Sequence, residues 1–526
     1  MMIGSRCRLS SILSCRGIRS QAGRLRRDSA SPNEQTNSEQ FELMVDELHK
    51  LEEETIQKQQ HTEISKKCAH KPKSKDHIKN IMPVRNGPLL KPITPEDQYE
   101  HLSQLVTPLC QKAYLKQLKI KEQQMCKIVK FLTKRLGDYK APIVRTTRGL
   151  ACQLESPRPS PELIAYRNKD EFGIQVGVDG NPKTVGFFVG RPTDPLMVCI
   201  PPTYLINIRE SHKHIARSFQ NFIRQSTHRA CLKFDDGGIW RSIMVRSTES
   251  AEKMVTVYIH PQQLPEEGIQ EIMEELRKYF FEGEGSECEL DSLYLQACKH
   301  TRCTREQAPY RLIAGKEHIT ETCCDLKFQI SPDSFFQINT QGAEVLYRTV
   351  QEVAEVSPIT TVLDVCCGTG TISLVMAPRV RGTIGIDEIT GAVEDATKNA
   401  QTNNITNSSF IAGKAEKILP RLSHSLRHCS DVLAVVNPAR SGLRKCYYPD
   451  VIQTIRQCDA INKLVYVTCK PQGFAMENFI KLGTTVRTMN KRDRSAPFIP
   501  KYAVPVDLFP HTDHTELVLL FERVDA

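Results

Sequence analysis

From about residue 335 onward, short apolar runs alternate with segments of helical period. TTVLDVCC (360–367), GTIGID (382–387), DVLAVVNP (431–438), KLVYVTC (463–469) and ELVLLFER (516–523) have the make-up of buried strands, rich in valine, isoleucine and leucine. ISLVMAP and VEDATKNAQ carry a helical pattern between the first three. Apolar strands alternating with helices predict a mostly parallel sheet covered on both faces, a Rossmann-like α/β domain over 331–526. Between 141 and 330 the period drops to two. FGIQVGVDGNPKTVGFFVG (172–190) predicts a hairpin turning at Asp179-Gly180-Asn181-Pro182. Further strands are expected at 239–246 and 254–260, and a helix at about 265–281 separates the strand groups, so this stretch is a second domain, of α+β type. Residues 93–140 read as a helical segment: Thr94-Pro95-Glu96-Asp97 supplies a cap, a proline and an acidic first turn, and leucines and isoleucines follow at helical spacing, with a break near Pro108. Residues 31–92 are polar and poor in aromatics. Apart from a helix over 39–59 they predict a partly disordered basic linker.

A chain of 526 residues is too long for one core, which agrees with two folded domains plus an N-terminal extension. Its apolar fraction of 40% is that of a globular protein, and no apolar run approaches the ~20 residues of a membrane span. The net charge of +10 is spread unevenly. Residues 1–27 hold seven arginines and five serines with no acid, whereas the rest carries 64 basic against 61 acidic residues. An arginine- and serine-rich, acid-free start without a continuous apolar stretch predicts a mitochondrial transit peptide over about 1–30, and hence the matrix. Two basic patches remain, at 66–91 and 116–140; each reads equally as RNA contact or as a solvated face. The 19 cysteines show no CxxC and no zinc spacing, so most are expected as small core residues in a reducing compartment, and no metal is expected.

The chemistry is concentrated at strand ends. LDVCCGTGTIS (363–373) puts Asp364 at the end of one strand and Gly368-Thr369-Gly370 at the start of a helix, and Asp387 ends the next strand 23 residues later. Such a glycine loop lets backbone approach a ligand, and such an acid accepts hydrogen bonds from a ribose. The first glycine of a pyrophosphate loop is replaced by Cys366 and the third is missing, so S-adenosylmethionine (SAM) fits better than a dinucleotide. Cys469 also ends a strand. In an open α/β sheet, ligands bind at those ends, so one edge would carry a nucleotide-like cofactor and a thiol together.

Five ordered motifs carry a resemblance. SFFQIN (334–339), the SAM loop with GID (385–387), NPARSGL (437–443), VTCKP (467–471) and DLFPHTDHTELV (507–518) resemble the RNA 5-methyluridine methyltransferase family, and its mitochondrial tRNA branch in particular. YRNKDEF (166–172) and GNPKTVGF (180–187) are similar to its RNA-facing central domain. The resemblance implies a SAM-dependent uracil-5 methyltransferase acting on tRNA, most simply at the T-loop uridine (position 54), with a small-subunit rRNA uridine as a second candidate, and acting as a monomer. It implies Cys469 as the nucleophile and Glu516 as the proton acceptor. SAM contacts fall to Gln337, Asp364, Cys366, Gly368, Gly370, Asp387 and Asn437, and RNA contacts to Arg167, Lys169, Phe335 and Arg440. A thiolate adding to C6 of uracil makes C5 nucleophilic, which splits one high barrier into smaller ones. The target base must leave its stack to be reached.

Three positions depart from the family pattern. Asn437 stands for the usual aspartate, Lys470 for the asparagine after the nucleophile, and Cys366 for a common aromatic. Lys470 is one candidate for lowering the pKa of the adjacent thiol. Cys68, Cys110, Cys126 and Cys152 are too widely spaced for the iron–sulfur quartet of some relatives, so no cluster is expected. Two rivals stay open: an RNA cytosine-5 methyltransferase, opposed by the lack of a thiol in 437–440, and a catalytically silent RNA-binding paralogue.

Overall fold

The computed structural model describes residues 92–190, 197–234, 236–440, 442–443, 450–484 and 495–524. The expected transit peptide, the linker and its helix over 39–59 lie outside the described residues. Two helices open the described chain, α1 (Gln98–Val106) and α2 (Tyr114–Asp138). A two-residue strand β1 (Gln153–Leu154) follows, and then the central domain begins. Its sheet contains β2 (Lys169–Gln175), β3 (Thr184–Val189), β4 (Val198–Ile200), β5 (Trp240–Ser247), β6 (Lys253–Ile259), β7 (Ser292–Ala297) and β8 (Arg311–Gly315), in the order β4-β3-β2-β5-β6-β7-β8. Helix α3 (Glu210–Gln225) lies between β4 and β5, and α4 (Glu266–Phe281) crosses from β6 to the parallel β7. Alternation along β2 buries Asp170, Phe172 and Ile174 and leaves Lys169, Glu171 and Gly173 on the other face. Phe172 joins Phe219, Phe222 and Trp240 in the core beneath the helices. The expected hairpin is there, with β2 and β3 antiparallel.

A short hairpin, β9 (Ile319–Cys323) and β10 (Leu326–Ile330), leads to the catalytic half. There follow α5 (Thr340–Ala354), β11 (Thr360–Val365), α6 (Thr371–Met376), β12 (Gly382–Asp387), α7 (Thr390–Thr402), β13 (Ser408–Ala412), α8 (Ala415–Leu426), β14 (Asp431–Val436), α9 (Val451–Gln457), β15 (Ile461–Thr468), α10 (Phe474–Gly483), β16 (Phe498–Val506) and β17 (Glu516–Arg523). The strand order is β1-β16-β17-β15-β14-β11-β12-β13. Strands β15, β14, β11, β12 and β13 run parallel, and β17 runs antiparallel to β15 and β16. This is the Rossmann-like arrangement expected. Asn339 opens α5 as its N-cap, its side chain accepting from the Gly342 N–H at 2.8 Å.

The sequence places a domain boundary at 141, but the catalytic sheet reaches back past it: β1 pairs in parallel with β16, and Arg158 bridges to Val506. Helix α2 also belongs with this half. Leu136 packs where a side chain at Gly483 of α10 would lie. Its basic stretch at 116–140 is in part neither RNA contact nor solvated face. Gln117, Lys121, Met125 and Val129 form its buried stripe, and Lys121 is completely buried in an ion pair with Asp507 at 2.6 Å. Lys121 Nζ also donates to the Phe509 carbonyl at 2.9 Å, and the Tyr114 hydroxyl to Asp507 at 3.0 Å. Gln117 bonds both the backbone N–H and the ring Nδ1 of His511, at 2.8 and 3.0 Å. Three helical side chains thus grip the DLFPH stretch just before Glu516. Burial pulls the Lys121 pKa below its ordinary value despite Asp507, so the pair offsets its own desolvation only in part.

The expected consequence is asymmetric. Lys121→Met leaves an uncompensated buried carboxylate and destabilises the fold by about 3–5 kcal/mol. The double variant Lys121→Met/Asp507→Asn recovers much of that loss in denaturant unfolding.

Candidate active site

Sheet topology alone assembles the site. β11, β12, β14 and β15 are parallel, so their carboxyl ends, and the loops bearing Cys366, Asn437 and Cys469, share one edge. β17 runs the other way, so its first residue, Glu516, lies at that same edge. The register makes this specific: Thr468 pairs with Leu517, and one step outward are Cys469 on one strand and Glu516 on its neighbour. Arg440, exposed in the loop after β14, lies close enough for its positive charge to act on both side chains.

Burial pushes the Cys469 thiol up to about 11, and the neighbouring Glu516 carboxylate adds to the rise while Arg440 opposes it. Glu516, only 5% exposed, is pushed up to about 8 by burial, again against Arg440. Lys470 is exposed and has no part in these shifts. The cation beside the sulfur is Arg440, not the adjacent lysine the sequence offered, because Lys470 follows the strand end, where the chain has already turned outward. A carboxyl poised near 8 is suited to general-base work close to neutral pH. Cys469 is half-buried at the end of its strand.

The glycine loop is built from left-handed backbone. Cys366 has φ 66° and Gly368 φ 57°, and a side chain at Gly368 would meet nothing within 4 Å. That open space is what a cofactor pressed against backbone requires. Asp387 holds the loop down: one carboxylate oxygen accepts from the Gly368 N–H at 3.0 Å, the other from the Ile389 N–H at 2.9 Å. Each oxygen keeps a lone pair for a ribose hydroxyl. Asn437 starts the neighbouring loop half-buried, its N–H on the Val365 carbonyl. These residues fit SAM.

Two of the residues expected at the cofactor have a structural task of their own. Asp364 is completely buried, one carboxylate oxygen accepting from the Ser373 N–H and hydroxyl at 3.1 and 2.8 Å while the other has no partner. It anchors α6, and burial pushes it up to about 6. Gly370 is required by packing, since a side chain there would lie 2.8 Å from the Phe410 ring. Gln337 is buried, with its carbonyl accepting from the Asn168 amide at 2.8 Å.

The paired phenylalanines separate cleanly. Phe336 packs in the core against Phe328, while Phe335 is 63% exposed. Arg167 does not point at a ligand: its guanidinium is paired with Asp170 and donates to the Lys169 carbonyl at 3.0 Å. Lys169 is half-buried. Sequence reading missed the α2 grip and a disulfide between Cys298 and Cys303, whose spacing matches no motif. It also missed that Cys323, Cys324 and Glu344 bring possible ligand atoms within 4.8 Å of one another; Glu344 there is engaged by the Cys324 N–H and by Arg348.

The Glu516 shift has a stability consequence with a definite sign. Its pKa rises on folding from the ordinary 4.5 to about 8, so the folded state retains a proton the unfolded state has lost, and stability falls as pH rises through that window. Glu516→Gln is therefore expected to gain stability over the parent from pH 5 to pH 8, by up to about 1.4 kcal/mol per pH unit, and to level off above. Thermal unfolding across pH reads this directly.

Residues 357–488 match a family model described as a methyltransferase domain. The chain is 43% identical over 448 residues, 84% of its length and 91% of the relative's, to the tRNA (uracil-5-)-methyltransferase homolog B of Danio rerio. It is 44% identical over 428 residues to the Homo sapiens protein of the same name, covering 81% and 84% of the two chains. Its fold is similar to the crystal structure of Pyrococcus abyssi tRNA (uracil-54, C5)-methyltransferase in complex with S-adenosyl-L-homocysteine, with a TM-score of 0.54 at 22% identity over 78% of this chain and 84% of that one. With a SAM-type loop, a thiol and a buried carboxyl at one sheet edge, the chain belongs to the tRNA (uracil-5-)-methyltransferase family and is a SAM-dependent methyltransferase.

Proposed function

We propose that this enzyme forms 5-methyluridine in mitochondrial tRNA, with Cys469 as the nucleophile and Glu516 as the base. The observation that carries the reading is the meeting of Cys469, Glu516 and Arg440 at the carboxyl edge of the sheet, beside the open Gly368 loop. The Cys469 thiol must first lose its proton, and the positive charge of Arg440 favours the resulting thiolate. The thiolate adds to C6 of an extruded uracil, its electron pair forming the S–C6 bond while the C5–C6 double bond shifts toward the O4 enolate. SAM supplies an electrophilic methyl group to the C5 carbon so activated. Glu516, once ionised, takes the C5 proton, the C5–C6 double bond re-forms and the sulfur leaves as thiolate. Asn437 offers an amide able to accept from uracil N3–H and donate to O4, which keeps uracil recognition without the usual aspartate. Phe335, exposed beside Gln337, is placed for stacking.

The likeness to relatives named tRNA (uracil-5-)-methyltransferase homolog B supports tRNA as the substrate. The T-loop uridine remains the first candidate and a small-subunit rRNA uridine the second. The arginine-rich, acid-free start of the chain supports import into the matrix.

Incubated with SAM and a 5-fluorouridine stem-loop RNA, the protein is expected to give an adduct that survives denaturing gels, because fluorine cannot leave as a proton would. Cys469→Ala abolishes it. A folded parent that yields no adduct contradicts the enzyme mechanism and returns the silent-binder reading. Mapping 5-methyluridine in mitochondrial tRNA and rRNA with and without the protein is expected to show loss confined to the tRNA T-loop. Loss in rRNA alone overturns the choice of target.

A further inference from the structure

The face of the central sheet opposite helices α3 and α4 contains a pairing that folding alone does not reward. In the β2–β5 register Lys169 lies directly opposite Arg246. Like charges facing each other across strands are destabilising. Among the described residues neither forms an ion pair with a carboxylate. Arg246 is only 3% exposed; its guanidinium donates to the Ser334 carbonyl, and its Nε has no partner. The groups around the pair are Glu171, Asp333, Tyr258, Tyr310, Arg167 and Arg302. Arg246, and then burial, pull Lys169 down to about 7. An unpaired charge this deep is costly, and an anion from outside the chain would relieve it.

The neighbourhood says which anion. The Ser334 carbonyl that Arg246 holds directly precedes the exposed Phe335. Asn168, next to Lys169, donates to the carbonyls of Ile338 and Gln337, both at 2.8 Å. The two cations therefore lie beneath the loop that presents the aromatic ring. Arg302 adds a third cation from the loop closed by Cys298–Cys303, a loop that Arg241 anchors through the carbonyls of Cys298, His300 and Thr301. A ring for a base beside a fixed group of cations is the chemistry of a nucleotide with its phosphate.

We propose that Lys169 and Arg302, backed by the buried Arg246, hold a backbone phosphate of the substrate RNA beside the nucleotide presented to Phe335. This rests on the reading of the enzyme as an RNA methyltransferase. Arg246 supplies fixed charge behind the contact, and Arg167 fixes the Lys169 backbone through its carbonyl. The like-charge pair is tolerated in the free protein because it is complete only when RNA is bound.

The test uses the full chain and a fluorouridine stem-loop RNA, with affinity measured from about 50 to 300 mM KCl. Lys169→Met and Arg302→Gln are each expected to weaken binding roughly tenfold at low salt and to lower the log–log salt slope by about 1. Lys278→Met, on helix α4 behind the same sheet, leaves both unchanged. Lys169→Met is also expected to keep or raise thermal stability, since it removes a repulsion. An RNA with one neutral methylphosphonate beside the target uridine should bind the parent more weakly and Lys169→Met no more weakly than the unmodified RNA does. A slope unaltered by Lys169→Met, or a variant that loses stability and keeps its RNA affinity, overturns the phosphate site. Failure of the parent to form the Cys469 adduct while the slopes behave as stated would instead remove the catalytic reading and leave the phosphate site standing.

Discussion

The antiparallel pairing of β15 with β17 is the constraint on which the rest depends. In an all-parallel sheet the first residue of a strand lies at the edge opposite the ligand. Reversing the last strand brings its first residue, Glu516, to the ligand edge, one step beyond the Thr468–Leu517 pair and next to Cys469. The two groups are thereby positioned by backbone hydrogen bonds on both sides of β17, since Val506 of β16 pairs with Glu516 as well. Rigid elements hold reacting groups more closely than loops do. The loop that completes the site, with Arg440, brings a cation to a place where a thiolate and a carboxylate must each exist at some stage.

Holding Glu516 there has costs that other parts of the molecule offset. Its burial keeps it protonated near neutral pH, and the stretch leading into it, Asp507 to His511, has left-handed backbone at His511 with φ 69°. Helix α2 answers both the polarity and the bend of that stretch through Tyr114, Gln117 and Lys121. The N-terminal helical segment is thus a structural part of the catalytic half, although some 390 residues of chain separate the partners. The central domain docks by the same logic: Asn168 and Arg246 bind carbonyls of residues 334–338, so the aromatic Phe335 is carried between the two halves.

Much of this was legible in the sequence for physical reasons. Strands buried on both faces announce themselves as apolar runs, and residues that end parallel strands share one edge, so the place of Cys469, Asp387 and Asn437 at that edge could be read from the sequence. What stayed hidden depends on partners far away in the chain. Lys121 reads as a solvated lysine on a basic helix until Asp507 is placed beside it. Asp364 has the right spacing for a ligand contact, yet in a strand buried along its whole length its carboxylate turns to Ser373. Strand β1 is too short to have a period, and Arg246 looks ordinary until the register sets it against Lys169.

The claim that one sheet edge unites a thiol nucleophile with a carboxyl base is tested most directly by following the C5 proton. With RNA carrying tritium at C5 of uridine, the parent enzyme is predicted to release one tritium for each methyl transferred. Glu516→Gln is predicted to transfer the methyl group and retain both the tritium and the RNA, bound to Cys469. Release of tritium from that variant in step with methylation, at the rate of the parent, would contradict the account.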